Sequence, residues 1–146
     1  MNIRRAEFRD IPGMISLLHQ VGQVHHQIRP DIFRPGCLKY TAADLEKLLR
    51  DENFPVFVAM ENDTVAGYCF CQKRQYRDSA TMTDRQEIYI DDLCVDENCR
   101  GSGIATALYR HVTAFAADLG CAFVTLNVWQ GNDAAMAFYE KMGMKP

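Results

Sequence analysis

Residues 95–115, VDENCRGSGIATALYRHVTAF, decide the fold. The run leaves Val95, passes through Gly101-Ser102-Gly103, and then sets Ile104, Leu108, Val112, Phe115 and Leu119 at helical spacing. The segment before it, EIYIDDLCV (87–95), is a strand, and AFVTLNV (122–128) after it is another. Strand, tight turn, helix, strand is a βαβ unit, so the two strands lie parallel in one sheet. The glycine turn then stands at the carboxyl end of the first strand, where open α/β sheets bind ligands. A helix start carries unpaired N–H groups and about half a positive charge, which favours an anion such as a phosphate. Glycines there let that anion approach the backbone, and Arg100 and Ser102 add donors to Gly101, Gly103, Ile104 and Ala105. A tight strand-to-helix turn holding nothing would have the same residues. Neither G-x-x-x-x-G-K-[ST] nor a G-x-G-x-x-G followed by an acid is present, which excludes the P-loop and the dinucleotide fingerprint.

Outward from this unit, IRRAEF (3–8) is a short strand, and Asp10 is placed to cap a helix with Pro12 in its first turn and Ile11, Ile15, Leu18 and Val21 on one face. That helix frays into GQVHHQIRPDIFRPG (22–36), a loop by its Pro and Gly content. Thr41 and Asp44 make a capping-box start for a second helix carrying Leu45, Leu48 and Leu49. PVFVAME (55–61) and VAGYCFCQ (65–72) are strands joined by a hairpin turn at Asn62-Asp63. The polar stretch KRQYRDSATMTDRQ (73–86) leads to the 87–95 strand, and a final helix runs from Asn132-Asp133 to Met142. The predicted fold class is mixed α/β, with antiparallel strands first, parallel strands later, and helices on the sheet.

The chain has 146 residues, 48% of them hydrophobic, enough for one domain with its own core and with no linker to divide it. A formal charge of −3 and the lack of any basic run interleaved with aromatics argue against nucleic acid as a partner. MNIRRAEFRDIPGM carries charges where a signal peptide is apolar, and no apolar run reaches the roughly 18 residues that cross a bilayer, so the expected location is the cytoplasm, off the membrane. Cys37, Cys69, Cys71, Cys94, Cys99 and Cys121 read as buried free thiols, and neither they nor His25-His26 complete a metal set, so no metal is expected.

The run DDLCVDENCRGSGIATALYRH resembles the acetyl-CoA-binding motif of the GNAT superfamily of N-acetyltransferases, [QR]-x-x-G-x-[GA] after a strand ending in L-x-V, met here by Arg100, Gly103 and Ala105. NVWQGNDAAMAFYEKMGMKP resembles that superfamily's second motif through Asn132, Phe138, Tyr139, Glu140, Lys141 and Gly143. The resemblance implies a pyrophosphate on the N–H groups of Arg100 through Ala105 and a pantetheine arm paired like an extra strand with the backbone of Leu93, Cys94 and Val95. Asp91-Asp92, two acids in an otherwise apolar strand, mark the place for a bulge that splays the parallel strands. The superfamily continues with one more strand past the stretch ending at Pro146; either the sequence is cut short or a neighbouring copy, as in a homodimer, supplies it.

An alkyl amine, with a pKa of about 10.4, needs a base before it can attack a thioester. Counting back from Arg100 makes Glu87 the leading base and Asp92 the second, with solvated carboxylates as the plain alternative for both. A backbone N–H near Leu93 is the expected oxyanion donor. Tyr139 is the candidate acid for the departing thiolate, or else a core aromatic, and Asn132 is a helix cap whose amide also faces the pantetheine arm. Acceptor contacts are sought among His25, His26, Arg29, Asp31, Tyr76 and Arg77. The reading is an acetyl-CoA-dependent N-acetyltransferase acting on a primary amine of a small molecule or protein, by direct attack in a ternary complex. A longer acyl-CoA, or a domain that binds acetyl-CoA without turnover, stays open.

Overall fold

The computed structural model describes residues 1–146. One five-stranded sheet organises it, with strands in sequence order: β1 (Asn2–Arg5), β2 (Val56–Glu61), β3 (Thr64–Tyr76), β4 (Arg85–Val95) and β5 (Phe123–Leu126). The first three pairings are antiparallel and the fourth, β4 with β5, is parallel. Helices α1 (Ile11–Ile28) and α2 (Ala42–Arg50) cover one face; α3 (Ile104–Asp118) covers the other, and α4 (Asp133–Lys141) follows β5. This is the mixed α+β order expected, with the crossover through α3 forcing β4 and β5 parallel.

Strand alternation divides the interior in two. Val56, Val58, Tyr68 and Phe70 point towards Met14, Leu17, Leu18 and Leu45 of α1 and α2. Phe57, Ala59, Cys69, Cys71, Ile88 and Ile90 point towards Ile104, Leu108 and Val112 of α3. The apolar stripe of α3 is thus the predicted one, although Leu119 at its end is exposed and Ala116 takes its place in the core. Gly67 matters to this packing. A Cβ there would lie 3.0 Å from the Cys94 carbonyl oxygen and 3.1 Å from both Ile104 and Leu108, so its absence lets the start of α3 seat directly on the end of β4.

The Asn62-Asp63 hairpin is present, with Asn62 in the left-handed region, and so is the Thr41–Asp44 capping box. Three expectations are corrected. First, α1 does not fray at residue 22 but continues to Ile28, so His25 and His26 are helical; Arg29 N–H closes the last turn on the His25 carbonyl, and His26 Nδ1 lies 2.7 Å from the Phe33 carbonyl. Second, β3 and β4 extend well into the polar stretch. Arg74 stacks on the Tyr89 ring at 3.8 Å and Arg85 on Tyr76 at 4.3 Å, so long cations and aromatics cover a strand face without an apolar stripe.

Third, the Asp10 side chain does not cap α1. It is 3% exposed, accepts two hydrogen bonds from Arg4 at 2.7 and 2.9 Å, and accepts another from Glu7 N–H at 2.7 Å, fastening β1 to the entry of the helix. Burial alone would raise the Asp10 pKa, but the Arg4 guanidinium and the Glu7 N–H outweigh it and hold the carboxyl below its ordinary value. A depressed carboxyl stabilises the fold above its unfolded pKa, near 3.9, and loses that contribution as pH falls through the folded value. Asp10→Asn is therefore expected to cost about 2 kcal/mol at pH 7, within the roughly 1–3 kcal/mol for leaving a buried hydrogen-bonding partner unsatisfied. Urea melts at pH 7 and pH 3 check this, with the gap between wild type and variant closing at the lower pH.

Candidate active site

β4 and β5 pair only from Glu87–Phe123 to Ile90–Leu126 and then part. The cause is visible in the register with β3. Phe70 faces Asp92 while Cys71 faces Ile90, so Asp91 is an extra residue on β4. The bulge falls where the paired acids placed it. Beyond it a cavity of about 590 Å³ opens between the parted strands. It is walled by Ile90–Leu93 of β4, by the 126–130 segment, by Asn132, Ala135 and Tyr139, and by His25 and Lys39 from the helical side.

Asp96 N–H donates to the Ala66 carbonyl at 2.8 Å, which fixes the alternation on this part of β4. Asp92, Cys94 and Asp96 turn their backbone groups to β3, and Leu93 and Val95 turn theirs into the gap left by β5. Of the three residues expected to pair with an extended ligand, Leu93 and Val95 are therefore placed for it. Cys94 spends its backbone on Tyr68 across the ladder. Its thiol is buried against the Leu17 carbonyl at 3.8 Å, and burial pushes its pKa up to about 12, well away from nucleophilic reactivity.

At the turn, Gly101 and Gly103 adopt φ of +83° and +82°, and Gly103 is the residue before the helix, with no side-chain cap. The first helical bond runs from Ala107 N–H to the Gly103 carbonyl, and the N–H groups of Gly101 through Ala105 have no protein acceptor. A Cβ on either glycine would meet nothing within 4 Å. The backbone conformation itself demands these glycines, and the space outside the turn is open. Ser102 is not a free donor, because its hydroxyl bonds the Cys99 carbonyl and closes the turn. Arg100 is exposed and enters no ion pair, leaving a cation beside the helix start.

Two carboxylates share the bulge. Asp91 accepts from Lys39 Nζ at 2.9 Å on one oxygen and from Tyr40 Oη at 2.6 Å on the other. Asp92 accepts from Tyr68 Oη at 2.6 Å on Oδ2, and the neighbouring Leu93 N–H also lies against this carboxylate. Burial pushes the Asp92 pKa up to about 6, against the opposing pull of the Tyr68 hydroxyl and Lys39, with Asp91 adding to the rise. The two tyrosines are driven well above their ordinary values, Tyr40 by burial and Asp91, Tyr68 by burial and Asp92.

Glu87 lies elsewhere. It sits four residues before the bulge, 6% exposed, accepting from Arg85 Nε at 3.1 Å and from Thr125 Oγ1 at 3.1 Å, and it does not line the cavity. Between Glu87 and Leu93 the strand advances about 20 Å. The structure thus separates the leading sequence candidate from the gap and brings the second, Asp92, to its edge. Tyr139 does line the cavity. Burial raises its pKa, its ring stands 5.2 Å from Phe138 and 6.5 Å from Tyr109, and its hydroxyl has no protein partner. Asn132 caps α4, its side-chain oxygen accepting from Ala135 N–H at 3.3 Å, and the residue also lines the cavity.

Of the acceptor-side candidates, His25 lines the cavity, whereas Arg29 and Asp31 pair with each other at 2.7 Å and Tyr76 is covered by Arg85. Sequence reasoning missed Lys39, Tyr40, Tyr68 and Trp129. Phe33 bridges His25, at 4.9 Å between ring centroids, and Trp129, at 5.2 Å, tying the end of α1 to the segment after β5. The unpaired acids were the available signal, since half-buried carboxylates require donors and only distant residues supply them here.

Comparison with known proteins agrees with this architecture. The profile of the Acetyltransferase (GNAT) family matches residues 22–144. Peptidyl-lysine N-acetyltransferase YjaB of Salmonella typhimurium is 27% identical over 99% of this chain and 83% of its own length. N-alpha-acetyltransferase 30 of Schizosaccharomyces pombe is 32% identical over 60% of this chain, a stretch that spans only 55% of that protein. Among solved structures, a mutant of the BH1408 protein from Bacillus halodurans superposes with a TM-score of 0.95 at 30% identity, covering 100% of this chain and 94% of that one. Aminoglycoside N-acetyltransferase AAC(6')-Iy, solved in complex with CoA, shares the fold at a TM-score of 0.75 and 16% identity, over 99% of this chain and 92% of that one. With the splayed parallel strands and glycine turn in place and a profile match over most of its length, the chain belongs to the Acetyltransferase (GNAT) family.

Proposed function

We propose that these 146 residues act as one N-acetyltransferase domain that takes acetyl-CoA as donor and a primary amine as acceptor. One observation carries the reading: Asp92, held by Tyr68 on one oxygen and raised by burial to a pKa of about 6, adjoins the backbone of Leu93 at the point where β4 and β5 part. Acetyl-CoA supplies an activated acetyl thioester. The free N–H groups of Gly101 through Ala105, with Arg100, hold its pyrophosphate, and Leu93 and Val95 pair with its amide-bearing arm. Leu93 N–H stabilises charge on the carbonyl oxygen, a contribution of about 3 kcal/mol in comparable sites. Asp92 takes the proton from the incoming ammonium, and the unpartnered Tyr139 hydroxyl returns one to the leaving thiolate.

Related names support the amine class, since relatives are an N-alpha-acetyltransferase and a peptidyl-lysine N-acetyltransferase. No helix is long and apolar enough to cross a membrane, and the free thiols suit the reducing cytoplasm. A thioester-cleavage assay with acetyl-CoA across a panel of amines and peptides tests the assignment; binding without cleavage would favour a sensor.

Three variants divide the machinery. Gly103→Val is expected to weaken coenzyme A binding at least about tenfold, the loss of roughly one good charge-assisted contact. Because its φ is positive, the same change also strains the backbone; Gly120→Val, at φ +76° with equally open surroundings, reproduces the strain and should leave binding intact by calorimetry. Asp92→Asn should lower kcat about 10²-fold. The wild type gains activity as pH rises through about 6, because the base must be deprotonated, and the variant should lack that limb of the profile. Tyr139→Phe should lower kcat by a similar factor, about 10²-fold, with an unchanged melting temperature, because no protein hydrogen bond is lost.

A further inference from the structure

Lys39 is the one cation whose side chain enters the cavity from the helical side and bonds the bulge itself. Its Nζ lies 2.9 Å from Asp91 Oδ1 and 3.4 Å from the Asp91 main-chain carbonyl, so it sits on the residue at which the strands divide. Asp92 is the next residue, and Leu93 is two residues on, about 7 Å along the strand. A lysine stem spans that distance by rotation about its own bonds. Lys39 is 44% exposed and its partner Asp91 22%, so the ammonium is held by an ion pair at the rim and not locked in the interior. No other lysine lines this cavity, although Lys145 lines an adjoining pocket that shares Leu126, Asn127, Val128 and Tyr139 with it. Lys47, Lys141 and Lys145 are surface residues, and Lys73 is on the hairpin, apart from this cavity.

We infer that Lys39 is an internal acceptor: the chain acetylates its own Lys39 Nζ in cis, once the side chain swings from Asp91 to the neighbouring Asp92 and Leu93. This rests on the donor proposed above. In the step, the Lys39 ammonium gives one proton to Asp92, and the freed lone pair attacks the thioester carbonyl carbon. The C–N bond forms and the C–S bond breaks. The second nitrogen proton leaves as the amide forms, and the departing thiolate is protonated through Tyr139, so that one ammonium and one thioester yield one amide, one thiol and one proton. The product has no positive charge, so it releases Asp91 from its only ion pair and leaves that carboxylate bonded to Tyr40 alone.

Purified protein incubated with acetyl-CoA and mapped by peptide mass spectrometry should gain one acetyl group on Lys39, at least about tenfold faster than Lys47 or Lys73, as proximity requires. The rate per molecule should not change over a dilution series, and Lys39→Arg should abolish the modification. A second readout needs no transfer: coenzyme A, which lacks the acetyl group, should shield Lys39 but not Lys47 from reductive methylation. Labelling of Lys39 no faster than Lys47, a rate proportional to protein concentration, or methylation of Lys39 unaffected by bound coenzyme A would each overturn the inference. Turnover of the amine panel with Lys39 unmodified would overturn it while leaving the proposed function standing; absence of both coenzyme A binding and amine turnover would remove both.

Discussion

One inserted residue, Asp91, sets the geometry on which the rest depends. Before it, Ile88 and Ile90 point into the α3 core and the strand pairs on both sides; after it, Leu93 and Val95 take over that face while Asp92 and Cys94 point towards α1. The extra residue thus puts two carboxylates on one face and shifts the hydrogen-bonding phase of the strand, so that the backbone of Leu93 and Val95 looks into the space β5 vacates. A regular strand would have kept β5 paired to its end, and there would be no gap. The bulge has an electrostatic cost, since it half-buries two acids side by side, and the surrounding structure offsets it with Lys39, Tyr40 and Tyr68.

The bulge is backed by strands that are paired on both sides and buried on both faces. β3 runs for 13 residues and pairs along most of its length with β2 or β4, and its Tyr68 and Cys69 are fully buried on opposite faces. Gly67 brings Ile104 and Leu108 against the same strand, which anchors the start of α3 close to the Cys94 carbonyl. The donors of the glycine turn and the open edge of β4 are therefore fixed to one frame. A preorganised set of N–H groups costs nothing to align when charge appears, which is the property the proposed chemistry needs.

Features governed by local sequence were legible. The βαβ order, the hairpin at Asn62-Asp63, the glycine turn and even the bulge follow from neighbours within a few residues, and two motifs in the right order pointed to the family that the profile match shows. Features set by distant partners were not. Lys39 and Tyr40 meet Asp91 across 52 and 51 positions, and Tyr68 meets Asp92 across 24, so no spacing rule exposes them. Glu87 illustrates the converse. Counting back along the chain gives an address, but only the sheet shows that this address lies below the fork, where Arg85 and Thr125 already occupy the carboxylate. The run past residue 22 read as loop because its Pro and Gly come soon after, whereas the helix holds until Arg29 closes its last turn.

The two acids of the bulge are chemically unequal, and the inequality assigns their parts in the proposed reaction. Asp91 has a donor on each oxygen, a cation on one and a phenol on the other, so its lone pairs are spent on holding charge in place. Neither oxygen is left open to a further donor. Asp92 has a phenol, Tyr68, on one oxygen and no cation paired to it, and burial lifts its pKa to about 6. Proton transfer is most effective when the acceptor's pKa lies near the working pH, since the group is then mostly ionised yet still basic. Burial alone would have made Asp92 a weak point of the fold; combined with a fixed phenol, it suits Asp92 to the part of base in the proposed reaction. In the proposed reaction Asp91 positions a cation and Asp92 moves a proton, and the single bulge residue is what brings both carboxylates to one face of one strand.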